Sequence, residues 1–381
     1  MLTDNKNIAI IGGGPGGLLL ARLLQMKGVS VKVYERDENE AARVQGATLD
    51  LHYHGGLRAM KAAGLLPAFK AYYRPGAEKG RVIDKDGNIL YDEHNNPATG
   101  TDFDSEYARP EIDRGDLRNI LLAALQPGTV AWNKQFQSMS AAGNQWLLQF
   151  KDGSTDMADI VIGADGANSR IRPYLLTTPP VYAGTIIFQG NVPDAANTIP
   201  EVNQLLKGGK IYVYADEKFL HISSKGDGSI DFYVSMKKPE DWRPDISDKA
   251  KSCAWFTTEF PGWNPLWLSL VENMQLPMLM RPQYCMSLEE NLPSFANLTL
   301  LGDAAHVMPP SGEGVNLAML DALELCGHLT GDKDNDLKAA LAAYQHAMQH
   351  RAKEEAILSM EMLHWMHEEH AGQVFLEKYC G

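Results

Sequence analysis

Only four cysteines occur in 381 residues, Cys253, Cys285, Cys326 and Cys380, and none forms a C-x-x-C pair. This spacing excludes a disulfide scaffold and a thiolate zinc site and fits a reducing compartment, so a cytoplasmic protein is expected. No stretch reaches the roughly 18 consecutive apolar residues of a membrane span, and the polar start, Met1 to Asn7, leads into an apolar run that glycines end too early for a signal peptide. Positive charge is also scarce: 35 Lys and Arg face 48 Asp and Glu, a formal net charge of -13. With no basic stripe interleaved with aromatics, that balance repels a phosphate backbone and excludes a nucleic-acid partner. Fixed-period repeats and low-complexity tracts are missing, which excludes solenoids and propellers.

Familiar catalytic boxes are missing too. There is no Ser-His-Asp order, no H-E-x-x-H and no paired-carboxylate spacing. His364, His367 and His370 step by three, so on a helix they drift apart instead of converging on a metal. They read as part of an amphipathic tail helix, with Met360, Met362, Trp365 and Met366 as packing residues.

What remains is an ordinary globular composition, 44% hydrophobic and 22% charged, in a chain long enough for two domains. Its opening reads strand, helix, strand: Ile8 to Ile11 is β-branched, Leu18 to Lys27 is rich in helix formers, and Val29 to Tyr34 alternates. Between the first strand and the helix, Gly12, Gly14 and Gly17 occupy the fixed places of G-x-G-x-x-G. The first allows a tight turn, the second lets backbone approach a pyrophosphate, and the third lets helix pack on strand. Glu35, ending the next strand, is placed to accept ribose hydroxyls. A dinucleotide site follows, though the turn serves NAD and FAD alike. No second such turn exists, so a nicotinamide cofactor would visit transiently.

Two later segments carry a resemblance. Asp159 to Arg170, with Asp165-Gly166 at its centre, resembles the DG segment of the class A FAD-dependent monooxygenases, the aromatic-hydroxylase family. Gly302-Asp303-Ala304-Ala305-His306, followed by Pro309, Pro310, Gly312, Gly314 and Asn316, resembles that family's GD motif. Within the family the chain is most similar to tetracycline-inactivating, antibiotic-resistance monooxygenases, through Tyr34-Glu35-Arg36-Asp37, Gly46 to His52 and Pro110 to Arg118.

The resemblance implies an α/β fold. A Rossmann-like FAD-binding domain would be assembled from residues 1–71, 104–175 and 281–330, with an antiparallel substrate domain from 72–103 and 176–280 and a C-terminal helical segment over 331–381. It implies FAD held by Gly12, Gly14, Gly17, Glu35, Arg36, Arg43, Asp50, Arg114, Asp165, Asp303, Pro310, Gly314, Val315 and Asn316. Arg118 could instead pair with a carboxylate on its helix face, and His306 could bond within its loop or serve as a base. The implied reaction uses NADPH or NADH and oxygen, through a flavin C4a-hydroperoxide, to hydroxylate a small aromatic or polycyclic molecule. No catalytic side chain is implied, because the flavin carries the chemistry, and a monomer is expected. A flavin-dependent dehydrogenase or oxidase, or a ligand-sequestering flavoprotein, would suit the same scaffold.

Gln189 resembles a substrate-contacting glutamine of the tetracycline enzymes. Lys210 stands near where those enzymes have arginine, Asp231 stands at a histidine position, and the loop after Pro310 is one residue shorter. Aromatics concentrate from Tyr182 to Trp242, and no arginine occurs between Arg172 and Arg243. This favours flat polycyclic or phenolic ligands over simple benzoates.

Overall fold

The computed structural model describes residues 1–42, 47–95, 103–293, 295–332, 334 and 336–379. Its centre is a five-stranded parallel sheet in the order Leu298–Leu300, Ile160–Gly163, Ile8–Ile11, Val31–Tyr34, Val130–Ala131. Ile8 to Ile11 and Ile160 to Gly163 are buried throughout, as continuous apolar runs flanked by helices must be. Helix α1 (Pro15–Met26) buries Leu18, Leu19, Leu20 and Leu24 against this sheet. Helix α2 (Arg114–Ala123) packs beside α1, and α3 (Gly314–Thr330) packs on it closely. A Cβ on Gly16 would stand 2.9 Å from the Ala318 oxygen.

The segment Thr155 to Ile162, which alternates like one strand, divides in two. Thr155–Ala158 closes a three-stranded antiparallel sheet, and Ile160–Gly163 turns into the parallel one. Asp159 sits at the break and accepts the Asn7 amide.

A seven-stranded sheet forms the second half, in the order Gln275–Cys285, Val181–Val192, Ile230–Lys237, Lys218–Ser224, Lys210–Ala215, Gly80–Ile83, Ile89–Asp92. All its pairings are antiparallel except that of Lys210–Ala215 with Gly80–Ile83. The strand Gln275–Cys285 runs unbroken through residue 281, where the FAD-binding segment was expected to resume.

Alternation gives this sheet two unlike faces. Ile211, Val213, Leu220, Ile222, Phe232 and Val234 point into a core with Trp255, Phe256, Trp267 and Leu270 of two covering helices. Lys210, Tyr212, His221, Asp231, Tyr233 and Gln189 occupy the opposite face.

The tail forms α4 (Leu337–Trp365) and α5 (Ala371–Tyr379). The first turns of α4 join the parallel-sheet core through Leu341, Tyr344 and Met348. Its far end and α5 reach the polar face of the larger sheet, where Trp365 and Phe375 pack on Tyr214. His367, fully buried, bonds Ser235 Oγ at 2.8 Å, whereas His364 is exposed and pairs with Glu368. Among the described residues no helix is long and apolar enough to cross a membrane.

Candidate active site

Gly12 adopts φ +114°, and a Cβ there would lie 2.2 Å from the Ala164 oxygen. The turn is thus pressed against the end of the neighbouring strand, as only glycine permits. A Cβ on Gly17 would meet the Gly12 oxygen at 2.2 Å, while the space beyond Gly14 is empty. Gly14 caps α1 with no side-chain bond, and Pro15 follows, so the amino end of the helix is bare on its open side. Glu35, 2% exposed, accepts the Gly13 amide at 2.6 Å and the Asp37 amide at 3.1 Å. Arg36 beside it is exposed. A turn tightened by close backbone contacts, open at Gly14 and backed by a carboxylate, fits the adenosine and pyrophosphate of a dinucleotide.

The other end of the site is built by Gly302 to Asn316. Asp303 is exposed, and a Cβ on Gly314, at the head of α3, would approach only its Oδ1, at 3.8 Å. Arg172 fixes this turn from behind, donating to the carbonyl oxygens of Asp303 at 2.5 Å and Ala304 at 2.8 Å. His306 points away from the opening. Buried, it meets Asp321 at 2.7 Å, and the same carboxylate accepts the Gly302 amide at 2.9 Å and Arg351 at 3.1 Å. Burial disfavours the imidazolium, but Asp321 outweighs that and raises the His306 pKa. His306 is therefore a structural ion-pair partner and not a base facing the opening. The exposed Asp303, the bare head of α3 and the half-buried Val315 fit a ribityl chain and flavin ring.

Other expected cofactor residues are occupied differently. Asp165 uses both oxygens within its own turn, on Ser169 Oγ at 2.5 Å and the Arg170 amide at 2.7 Å. The buried Asn316 accepts the amides of His52 and Gly56 and donates to the Asp50 carbonyl. Arg118 is buried, bonds the Glu40 carbonyl and pairs with Asp37 at 3.5 Å, whereas Arg114 and Pro310 are exposed. Arg43 lies outside the described residues.

The polar face of the large sheet meets these elements. Lys210, largely buried, pairs with the fully buried Glu111, and nearby Tyr212, Glu111 and Asp50 keep the ammonium charged against the pull of burial. Asp231 is 1% exposed, takes the Asn191 amide at 2.8 Å and leaves Oδ2 without a hydrogen bond. Burial raises its pKa. Tyr233, pushed up to about 12 by burial and by Asp231, is bonded by the Ala47 amide.

Gln189 is half-buried and accepts from Arg281 Nε at 3.0 Å. That guanidinium comes from the returning strand Gln275–Cys285, so counting arginines from Arg172 to Arg243 overlooks it. A cavity of about 420 Å³ lies farther along the same strands, between Thr185, Lys237 and Lys238 of the sheet and Met360, Leu363 and His364 of α4.

Comparison with known proteins agrees with this geometry. Residues 5–257 and 284–356 match the family model described as FAD binding domain. The 6-hydroxynicotinate 3-monooxygenase of Pseudomonas fluorescens is 27% identical over 92% of this chain and 89% of its own. Among solved structures, Klebsiella pneumoniae HpxO complexed with FAD and uric acid superposes with a TM-score of 0.77 at 20% identity, covering 99% of this chain and 93% of its own. The tetracycline destructase Tet(51) gives 0.73 at 21%, covering 98% and 96%.

Proposed function

Because the chain belongs to the FAD-binding-domain family of flavin-dependent monooxygenases, we propose that the Gly12–Gly17 turn and the head of α3 hold FAD against a substrate carried on the Gln189 face of the large sheet. In this reading Glu35 and Arg36 serve the adenosine end, and Asp303 accepts ribityl hydroxyls. When bound there, FAD would supply the redox chemistry of an NADPH- or NADH-dependent oxygenation of an electron-rich carbon. The protein's own part is to bind, orient and exclude water. Arg172 holds the Asp303 turn in place, and the C-terminal helices α4 and α5 keep water from the aromatic face.

The observation that carries the substrate reading is the Arg281–Gln189 bond. A guanidinium whose Nε is spent on an amide still has donors on both Nη atoms for an acidic oxygen. Tyr233, paired with Gln189 across the strands, supplies flat aromatic surface on the same face. The substrate is therefore a small aromatic ring bearing an acidic oxygen, which departs from the preference for polycyclic or phenolic ligands over simple benzoates drawn from the sequence. Hydroxylation of 6-hydroxynicotinate is the reaction in a relative's name, and it fits this chemistry. We place the enzyme in the cytoplasm, as a monomer. The test is NADPH oxidation with hydroxylated benzoates, hydroxynicotinates and a tetracycline, with mass spectrometry for the gain of one oxygen atom. NADPH consumption that no ligand stimulates, with no oxygenated product, would count against it.

A further inference from the structure

The segment 50–56 and the start of α3 meet at two side chains, His52 and Asn316. His52 Nδ1 lies 2.6 Å from Glu313 Oε1, and Nε2 lies 3.1 Å from Asp50 Oδ2. Asn316 laces the same join, accepting the His52 amide at 2.8 Å and donating to the Asp50 carbonyl at 3.1 Å. Burial alone would lower the His52 pKa, but the bonds to two carboxylates outweigh it and push it up to about 10. Other charges face the bridge. Glu355 of α4 feels both Glu313 and His52 and bonds Ser311, and Lys210 faces Asp50 from the sheet with Glu111 behind it.

Glu313 is the residue that precedes the first turn of α3, yet it makes no capping hydrogen bond. A carboxylate there is attracted by the positive end of the helix dipole, which the free amides of the first turn carry. Here the imidazole draws it sideways. The amides at the head of α3 thus stay free of that carboxylate although it stands next to them.

We propose that His52 is a positioning residue for the cofactor, holding Glu313 off the head of α3 so that those amides remain open to an anionic or carbonyl group of the bound cofactor. This rests on the FAD reading above. Without His52, Glu313 becomes a built-in competitor, satisfying the amides that the cofactor needs and adding an uncompensated negative charge beside it.

The test is the dissociation constant of FAD, measured on holoenzyme by dilution and recovery of flavin fluorescence, with thermal melting to establish that each variant is folded. His52→Gln is expected to bind FAD roughly ten- to a hundredfold more weakly, the size of a lost charge-assisted interaction. Glu313→Gln alone should bind as well as the unsubstituted protein. The double substitution should return to within about threefold of Glu313→Gln, since removing the competitor removes the need for its restraint. His52→Lys, which keeps a cation, should retain FAD even if His52→Gln does not fold. A double variant as weak as His52→Gln would show that the imidazole acts by packing and would overturn the proposal. Failure of the unsubstituted protein to bind FAD would instead overturn the reading on which it rests.

Discussion

Arg281 reaches Gln189 from the neighbouring strand, Nε to Oε1 at 3.0 Å, and thereby fixes a guanidinium on the sheet face that meets the cofactor elements. Arg281→Gln removes the cation and keeps a hydrogen-bonding amide. KM for acidic aromatic substrates is expected to rise roughly ten- to a hundredfold, with kcat changed far less, because a lost charge-assisted bond in uniform binding appears in KM. Neutral phenols should be unaffected. Steady-state NADPH consumption across both ligand sets measures this, and an equal loss for neutral phenols would remove Arg281 from recognition.

Asp303 and His306 are three residues apart but differ in role, so their alanine variants should fail differently. Asp303 is exposed, and Asp303→Ala is expected to cost roughly one to two decades in FAD affinity with little change in melting temperature. His306→Ala strands the buried Asp321 with only Arg351 and the Gly302 amide, and should destabilise the fold by about 3 kcal/mol. Denaturant melts and cofactor retention on both variants separate the two.

The His52 bridge also has a pH signature. Its folded pKa, about 10, lies above the ordinary histidine value, so the folded state binds the proton more tightly than the unfolded one. The stabilisation is complete below about pH 6.5 and is lost as pH rises through 10. Asp50, held below its usual range by His52 although burial opposes it, works the other way. Its share is present above about pH 4 and is lost on acidification. The stability difference between the unsubstituted protein and His52→Gln should therefore be flat from pH 5 to 6.5 and shrink by pH 10. A difference that grows with pH would contradict the assignment.

Gly12→Ala tests the turn itself. The side chain would be forced into left-handed backbone and against the Ala164 oxygen at 2.2 Å, and both penalties are steep. Apoprotein, or no soluble protein, is expected, in contrast to Gly14→Ala, which has empty space before it and should fold but bind FAD more weakly.

The parallel-sheet half was legible because its signals are local: a β-branched strand, a glycine turn and an acid at the end of the next strand all fall within Ile8 to Glu35. The second sheet was legible as alternation, since two unlike faces leave period two in the sequence. Partnerships were not. Arg281 with Gln189, His52 with Glu313 and Lys210 with Glu111 join residues far apart in the chain, and no spacing rule registers them. Asp165 differs in another way. It lies in a motif that marks the family, and each of its carboxylate oxygens accepts a hydrogen bond within its own turn, which the sequence did not register. A motif marks where the backbone must bend, and a side chain within it can serve that bend and not the ligand.

Helix α4 sets how the molecule comes apart. At one end the Tyr344 hydroxyl holds the Leu300 carbonyl oxygen at 2.9 Å and Gln345 holds Thr299 at 3.1 Å. Beyond its other end His367 is pinned to Ser235 of the large sheet. Twenty-nine residues at about 1.5 Å each make a beam some 44 Å long, with one end in the parallel-sheet core and the other in a small apolar cluster on the polar face of the large sheet. Neither sheet can melt without loosening an end of that beam, so calorimetry should record one endotherm, not two. During synthesis the beam follows every strand that it braces, so both sheets are made before the helix that ties their far ends together emerges.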